Sequence, residues 1–511
     1  MRTSLRLATA LAGTCLLVAP ASADTLKEAL TQAYFDNPTL EAARAQLRAT
    51  DENVVIERAD TLPSISATGT YTEFLYDRPS SPGPSRQFGA QASAALPIYS
   101  GGGTRNAIQA AETRVIAGRA DLRGSESFLF TQVVAAYMNV ILNEALVSLS
   151  SNNVDVLSIN LEATSDRFQI GDLTRTDVAQ SESRLAIARG DLRSAQADLL
   201  AAREDYIALV GEAPTDLQPP PPLPGLPSSP EEAVDLALDN NPDLIAARER
   251  AEAAGYDIRV AGSTRLPRVE VFTGGNYSDF LGTVPSSQSA ILSNSSTSAT
   301  AGVRATIPLF QGGRPAALQR QAQARASAAL EQTIATERNV IADVRAAYSS
   351  WRAANAIIAS SQTAVDAAEL SLEGVRAENT VGNRTILDIL NAQQELLRAQ
   401  VQLVTARRNA YVAGFALLAA MGRAEARDLG LGDEGVLYDP AKNYERVRGI
   451  VWDWQSDPDP VAKSSRTVDI PPADGEVIPY EPLDGFGTEI IEYSDTAPPP
   501  SIAPDEATQG D

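Results

Sequence analysis

The strongest constraint on this 511-residue chain is an internal duplication. The segment from Lys27 to Leu40 reappears 204 residues later as Glu231 to Leu244, with an Asn-Pro pair in both segments. Farther along the shift becomes 211 residues, and the matching pairs are Pro97 with Pro308, Gly171 with Gly382, Asp177 with Asp388, and Gly211 with Gly422. Because a repeated sequence builds one structural unit more than once, we expect two copies of a single unit, at 24–213 and 231–423.

Each copy is predicted to contain two strands after its first helix. Residues 64–76 and 87–97 alternate small or apolar residues with polar ones, and the second copy repeats the pattern around 269–271 and 297–307. This alternation is typical of two-faced strands, and lengths of about 10 residues suit tilted membrane strands. The pattern alone also allows a half-buried soluble hairpin. Four strands cannot close a barrel, since about eight is the smallest usual number, so several chains would have to pool their strands.

The remainder of each copy is predicted to be long helix. No proline interrupts residues 104–165, where Ala, Leu, Val and charged residues recur at helical spacing over about 93 Å. Residues 315–378 repeat this pattern. Shorter helices are expected at 172–210 and 383–421, with short helices at 24–61 and 231–265 completing the length. The predicted fold class is therefore mainly α with membrane β, in which helices pair as in coiled coils in one tall layer.

The ends of the chain and its linker have their own composition. Residues 1–23 are typical of an export signal peptide, with Arg2 and Arg6 before an apolar run and Ala21-Ser22-Ala23 as the cleavage site. No other run is expected to approach the ~18 apolar residues of a membrane helix. The remaining predicted segments are a Pro-rich linker at 214–230, a closing segment at 424–454 and an acidic, Pro-rich, disordered tail at 455–511.

Composition excludes several classes of function. The chain has no histidine, and its one cysteine, Cys15, lies within the expected signal peptide. Ser-His and Cys-His catalytic sites, zinc sites and structural disulfides are therefore excluded, and we expect no metal and no cofactor. The formal net charge of -23 argues against nucleic acid as a partner, because binding to a phosphate backbone requires a basic face.

Short motifs occupy the predicted turns between elements. The most specific run extends from Val381 to Gln393, and the run from Gly171 to Val178 is its counterpart in the first copy. A proline followed by a Gly-Gly pair ends each strand pair, and Tyr444-Glu445-Arg446-Val447-Arg448 precedes two tryptophans near the end of the closing segment. Over residues 24–454 these motifs resemble those of the TolC family of bacterial outer-membrane efflux and secretion channels.

The resemblance implies a homotrimer whose four strands per chain pool into a 12-stranded β-barrel, continued by a long α-helical coiled-coil barrel. It places the chain in the lipid of the outer membrane of a Gram-negative bacterium, with a long periplasmic portion. The chain would be a passive duct, not an enzyme, in a tripartite efflux or type I secretion system. Its partners would be a periplasmic adaptor protein and an inner-membrane transporter of RND or ABC type. A non-conducting structural or adhesion protein built on the same helices is the alternative, and the exported substrate stays open.

The resemblance also implies a periplasmic gate at the hairpin tips. Arg384, Asp388 and Asn391 stand at i, i+4 and i+7, so we expect them to share one helix face, and Asp177 is a candidate partner for Arg384. Better-known members of the family have a second ring aspartate where this chain has Asn391. They have a tie-forming tyrosine where it has Asn379.

Capping of a helix start is a competing interpretation of the two tip aspartates. Thr174 and Thr385 stand three residues before Asp177 and Asp388, which is the spacing of a capping box. The residues expected to contact the adaptor at the two tips are Gly171, Leu173, Thr174, Val381, Gly382 and Thr385.

Overall fold

The computed structural model describes residues 24–75, 83–286, 289–432 and 435–472. The expected signal peptide and residues 473–511 of the expected tail lie outside these ranges. The first copy consists of α1 (Leu26–Asp36), α2 (Pro38–Ala59), β1 (Ser64–Glu73), β2 (Arg86–Tyr99), α3 (Gly103–Gln169) and α4 (Arg175–Val210). The second copy consists of α5 (Pro230–Asn240), α6 (Pro242–Ser263), β3 (Arg268–Asp279), β4 (Ser295–Thr306), α7 (Arg314–Thr380) and α8 (Ile386–Ala420). A short helix, α9 (Lys442–Val447), and a 3-10 turn, Thr467–Asp469, follow.

The first helix of each copy is broken in two, where the sequence analysis expected one helix. Asn37 adopts an extended conformation and caps α2, and Asn241 does the same for α6. Each is followed by a proline, which is favoured in the first turn of a helix because its missing N–H costs no hydrogen bond there. The Nδ2 of Asn37 also donates to the Leu209 carbonyl at 2.9 Å, and that of Asn241 to the Ala420 carbonyl at 3.0 Å. Each break is therefore anchored to the end of its copy's last helix.

The four strands form a single antiparallel sheet in the order β1-β2-β3-β4. The pairing of β2 with β3 joins the two copies. Among the described residues, β1 and β4 have no strand partner on their outer edges. Apolar side chains are exposed on this sheet, including Ile65 (80%) and Val303 (68%). A sheet with two unpaired edges and exposed apolar residues needs partners for both, as expected if strands are pooled among chains.

The two long helices have the same length. Both α3 and α7 contain 67 residues, or about 100 Å at 1.5 Å per residue. Each begins directly after a glycine pair with positive φ, +65° and +77° at Gly101-Gly102 and +59° and +81° at Gly312-Gly313. Glycine adopts this conformation without steric cost, so each pair turns the chain from strand to helix.

The main apolar core lies midway along the helical layer. The centre of α3 supplies Phe130, Tyr137 and Met138, and α8 supplies Phe415, all nearly or fully buried. An 18-residue stretch of α3 is apolar enough to cross a membrane. It is the only such stretch in a helix of the described chain, and its presence corrects the expectation that no such run exists outside the signal peptide. That stretch is half buried, because α3 is the central helix and packs against α1, α2, α4, α6 and α8.

The closing segment crosses the first copy's helices at the level of this core. The N–H of Ala426 donates to Glu126 on α3, and the N–H of Tyr438 donates to the Tyr34 hydroxyl at 3.0 Å. The guanidinium of Arg44 lies between two rings, 4.4 Å from the centre of Tyr34 and 5.1 Å from that of Tyr438. The segment therefore covers charged groups of α2 and α3.

The described part of the expected disordered tail is bound to the helices. Asp457 accepts two hydrogen bonds from Arg446, both at 2.9 Å. The N–H of Ser465 donates to Asp36 at 2.8 Å. The prediction of a disordered tail, which rested on acidic composition, is therefore wrong for residues 455–472. Individual polar residues of this stretch bind polar partners elsewhere in the chain.

Candidate functional site: the two hairpin tips

The first tip joins α3 to α4 in a short turn. Gly171 has φ +83°, and its N–H donates to the Phe168 carbonyl at 3.0 Å. Thr174 caps α4: its N–H and hydroxyl donate to Asp177 Oδ2 at 2.9 and 2.7 Å, and the Asp177 N–H donates back to the hydroxyl at 3.4 Å. This is a complete capping box, so Asp177 stabilises the start of α4.

The second tip repeats this backbone between α7 and α8. Gly382 has φ +84°, and Thr385 donates to Asp388 Oδ2 at 2.9 Å from its N–H and 2.8 Å from its hydroxyl. Hydrogen bonds from Thr174, first through its side chain, lower the pKa of Asp177 below its ordinary value. Those from Thr385, first through its backbone, do the same for the pKa of Asp388. Within one chain, both aspartates are therefore ionised members of capping boxes, each bound to its capping threonine.

Arg384 lies in a different place from the one that the sequence analysis expected. It precedes the cap Thr385, and α8 begins only at Ile386, so Arg384 does not share a helix face with Asp388 and Asn391. Its Nε donates to Glu378 Oε2 at 2.6 Å, across its own tip, and this partner raises the pKa of Arg384 above its usual value. Asn379 Nδ2 donates to the Arg384 carbonyl at 2.7 Å.

Asn391 is joined to the other hairpin by a residue that the sequence analysis missed. Arg184 on α4 donates from Nη2 to Asn391 Oδ1 at 3.0 Å and from Nη1 to Gln394 Oε1 on α8. This contact depends on how α4 and α8 pack side by side. Spacing along the chain reveals neighbours on one helix, so it gave no signal for this pair.

The residues expected to contact the adaptor lie at the ends of the hairpins. Val381 is 71% exposed, and residues 382–385 of the same turn are exposed as well. Of the six residues, Thr174 and Thr385 are also helix caps, so their hydroxyls already have partners. The two tips thus share one backbone shape and differ in the side chains that they present.

A family model described as "Outer membrane efflux protein" matches residues 29–212 and 233–423, which are the two structural copies. The chain belongs to this family. It is 34% identical over 439 residues to the outer membrane efflux protein BepC of Brucella suis, covering 86% of this chain and 93% of BepC. It is 25% identical to TolC of Escherichia coli over 80% of this chain and 84% of TolC. The crystal structure of VceC from Vibrio cholerae has the same fold, with a TM-score of 0.67, 23% identity, and coverage of 78% of this chain and 96% of VceC.

The sequence alone left two function classes open, a transport duct and a non-conducting structural or adhesion protein. Family membership decides between them. The chain is an outer-membrane channel subunit for efflux or secretion, with the TolC-like combination of membrane strands and a long periplasmic helical portion. The family is one of ducts and not of enzymes. The non-conducting structural or adhesion alternative is therefore set aside.

Proposed function

We propose that three copies of this chain form one duct, with the hairpin tips as its periplasmic entrance. The observation that carries this proposal is the four-stranded sheet with both edges unpaired among the described residues. Pairing β4 of one chain with β1 of the next satisfies both edges, and three chains then supply 12 strands, enough to close a barrel. The mass of the detergent-solubilised protein tests the proposal, and a monomer that retains its full β-content contradicts it.

The proposed gate consists of the polar groups at the tips: Arg384, Asp388, Asn391 and Asp177. Capping by the two aspartates supports rigid helix starts, which hold the tip turns in fixed positions. Arg384 is about half exposed beside Glu378, so its guanidinium can exchange this partner for an acid on a neighbouring hairpin in the closed ring. Three such charge-assisted ties in one constriction would act together to hold it shut.

The Arg384→Ser substitution tests the gate. Single-channel conductance in planar bilayers should rise, because one tie per chain is lost. Thermal stability should hardly change, because exposed ion pairs contribute little to stability. Arg189→Ser removes the same charge from an exposed position on α4 and serves as the matched control. Wild-type conductance in Arg384→Ser would remove Arg384 from the gate.

The proposed adaptor contact uses the exposed turns at Gly171–Thr174 and Val381–Thr385. A photo-crosslinking residue at Val381 should capture a periplasmic adaptor protein in cells. The control position is Ile187, an apolar residue on α4 that is 55% exposed. Equal capture at both positions would contradict a specific role for the tips. The mass of any inner-membrane protein that copurifies with the captured adaptor would distinguish an RND from an ABC transporter.

A further inference from the structure

The two hairpins of one chain are joined near their tips by a positive charge held between two amides. Arg184 binds Asn391 and Gln394 from across the α4–α8 contact. Directly beside this contact, Leu390 of α8 is buried against Leu157 of α3 and Leu185 of α4. The contact within one chain therefore combines an apolar cluster with a charged donor and two neutral acceptors.

The duplication specifies which residues occupy the same places in the other copy. The two capping boxes match at a shift of 211 residues, from 174 to 385 and from 177 to 388. Under the same shift, Leu185, which is buried, corresponds to Leu396, which is partly buried. Ala188 corresponds to Ala399, and both are buried. The helical register is therefore the same in α4 and α8.

Under this shift the charges are reversed. Arg184 corresponds to Glu395, and the positions of Asn391 and Gln394 correspond to Gln180 and Ser183. Within a chain, the guanidinium of Arg184 faces two amide oxygens that accept hydrogen bonds. At the equivalent positions, the carboxylate of Glu395 would face the amide of Gln180 and the hydroxyl of Ser183, both of which can donate hydrogen bonds. Within the described chain, Glu395 has only a loose contact, 3.8 Å to Arg398, and both side chains are more than 70% exposed.

Ring closure brings these two sets of positions together. In a trimer the two kinds of hairpin alternate, so each first hairpin lies beside the second hairpin of its own chain and beside that of the next chain. If the contacts around the ring are alike, the contact between chains uses the positions equivalent to those within a chain. We propose, on the basis of the trimer proposed above, that Glu395 accepts hydrogen bonds from the partner subunit's Gln180 and the partner's Ser183.

The two kinds of contact would then differ in strength. Leu390, which is 2% exposed, corresponds to Ala179, which is exposed in the single chain. The smaller side chain buries less apolar area between chains than Leu390 buries within a chain. The polar tie of Glu395 therefore carries a larger share of the contact between chains, and the entrance opens first along those three seams.

Cysteine pairs test this geometry directly, because the sequence contains only Cys15, within the expected signal peptide. Chains that carry only Glu395→Cys, assembled together with chains that carry only Ser183→Cys, should be covalently linked by a short thiol crosslinker on a denaturing gel. The matched pair Arg184→Cys with Asn391→Cys should yield only internally crosslinked monomer. If the protein has the mass of a trimer but the first pair gives no linked chains, the inference is overturned and the trimer stands. A protein that is not a trimer overturns the proposed assembly itself.

Conductance supplies a second readout. Glu395→Ala should raise open probability about fivefold, since each seam loses a charge-assisted hydrogen bond. Glu369→Ala, at an exposed position on α7, is the control and should leave open probability unchanged. Unchanged open probability in Glu395→Ala, in protein that still forms trimers, would overturn the role of the tie.

Discussion

The carboxyl of Glu126 should make the stability of this protein fall as pH rises. Burial under the closing segment raises the pKa of Glu126 to about 7, and the nearby Glu425 and Asp428 also raise it. The Ala426 N–H and the Arg44 guanidinium act in the opposite direction and do not cancel the effect of burial. The folded protein therefore holds a proton that the unfolded chain, with an ordinary value of 4.5, releases.

The sign and size of the effect follow from proton linkage. Below pH 4.5 the carboxyl is protonated in both states and costs no stability. Between pH 4.5 and about 7 only the folded state keeps the proton, so stability falls by about 1.4 kcal/mol for each pH unit. Above pH 7 the cost is constant, on the order of 3 kcal/mol per chain.

The Glu126→Gln substitution should remove this cost. The amide oxygen of Gln can still accept the hydrogen bond from Ala426, but it cannot ionise. Thermal unfolding of the detergent-solubilised protein, followed by circular dichroism, should show the variant more stable than wild type at pH 8 and similar to it at pH 4.5. Glu331→Gln, at an exposed position on α7, controls for the lost charge. The same difference between Glu126→Gln and wild type at both pH values would refute the reasoning.

Two further predictions follow from the backbone and from the C-terminal segment. Gly422→Ala should destabilise the protein by more than about 2 kcal/mol, because φ at Gly422 is +71° and the new Cβ would lie 2.4 Å from the Asn240 carbonyl oxygen. Gly382→Ala is the control: φ is +84° there too, but the new Cβ would meet no atom within 4 Å. Its cost in thermal unfolding should be about 1 kcal/mol. Truncation after Trp454 should preserve conductance and lower the unfolding temperature, since it removes the contacts of 455–472. Truncation after 472 removes none of these contacts and should leave that temperature unchanged.

Much of the fold could be predicted from the sequence because its signals are local. Alternating residues indicate strands wherever they occur, and an unbroken run without proline indicates a long helix. The break at Asn37 was missed although the Asn-Pro pair was recognised as part of the repeat. A single asparagine cap can end one helix and start the next without leaving any loop for composition to reveal.

Only those features of the candidate site that depend on spacing along a single helix could be predicted from the sequence. The capping boxes of Asp177 and Asp388 follow from spacing, and the structure contains both. The prediction that Arg384 shares a helix face with Asp388 and Asn391 was wrong, because α8 starts two residues after Arg384. Arg184 could not be found, since its partners are 207 and 210 residues away along the chain and are brought to it by packing.

The equal length of α3 and α7 limits how this protein can change during evolution. One residue inserted into α7 alone would lower its tip by about 1.5 Å relative to the other tip and rotate it by about 100°. The two tips would then no longer be level or face the same way around the ring. A longer or shorter channel therefore requires matched insertions in both helices, and in the returning helices α4 and α8. The distance that such a channel spans should change among its relatives in steps of whole helical turns, inherited together by both halves of the gene.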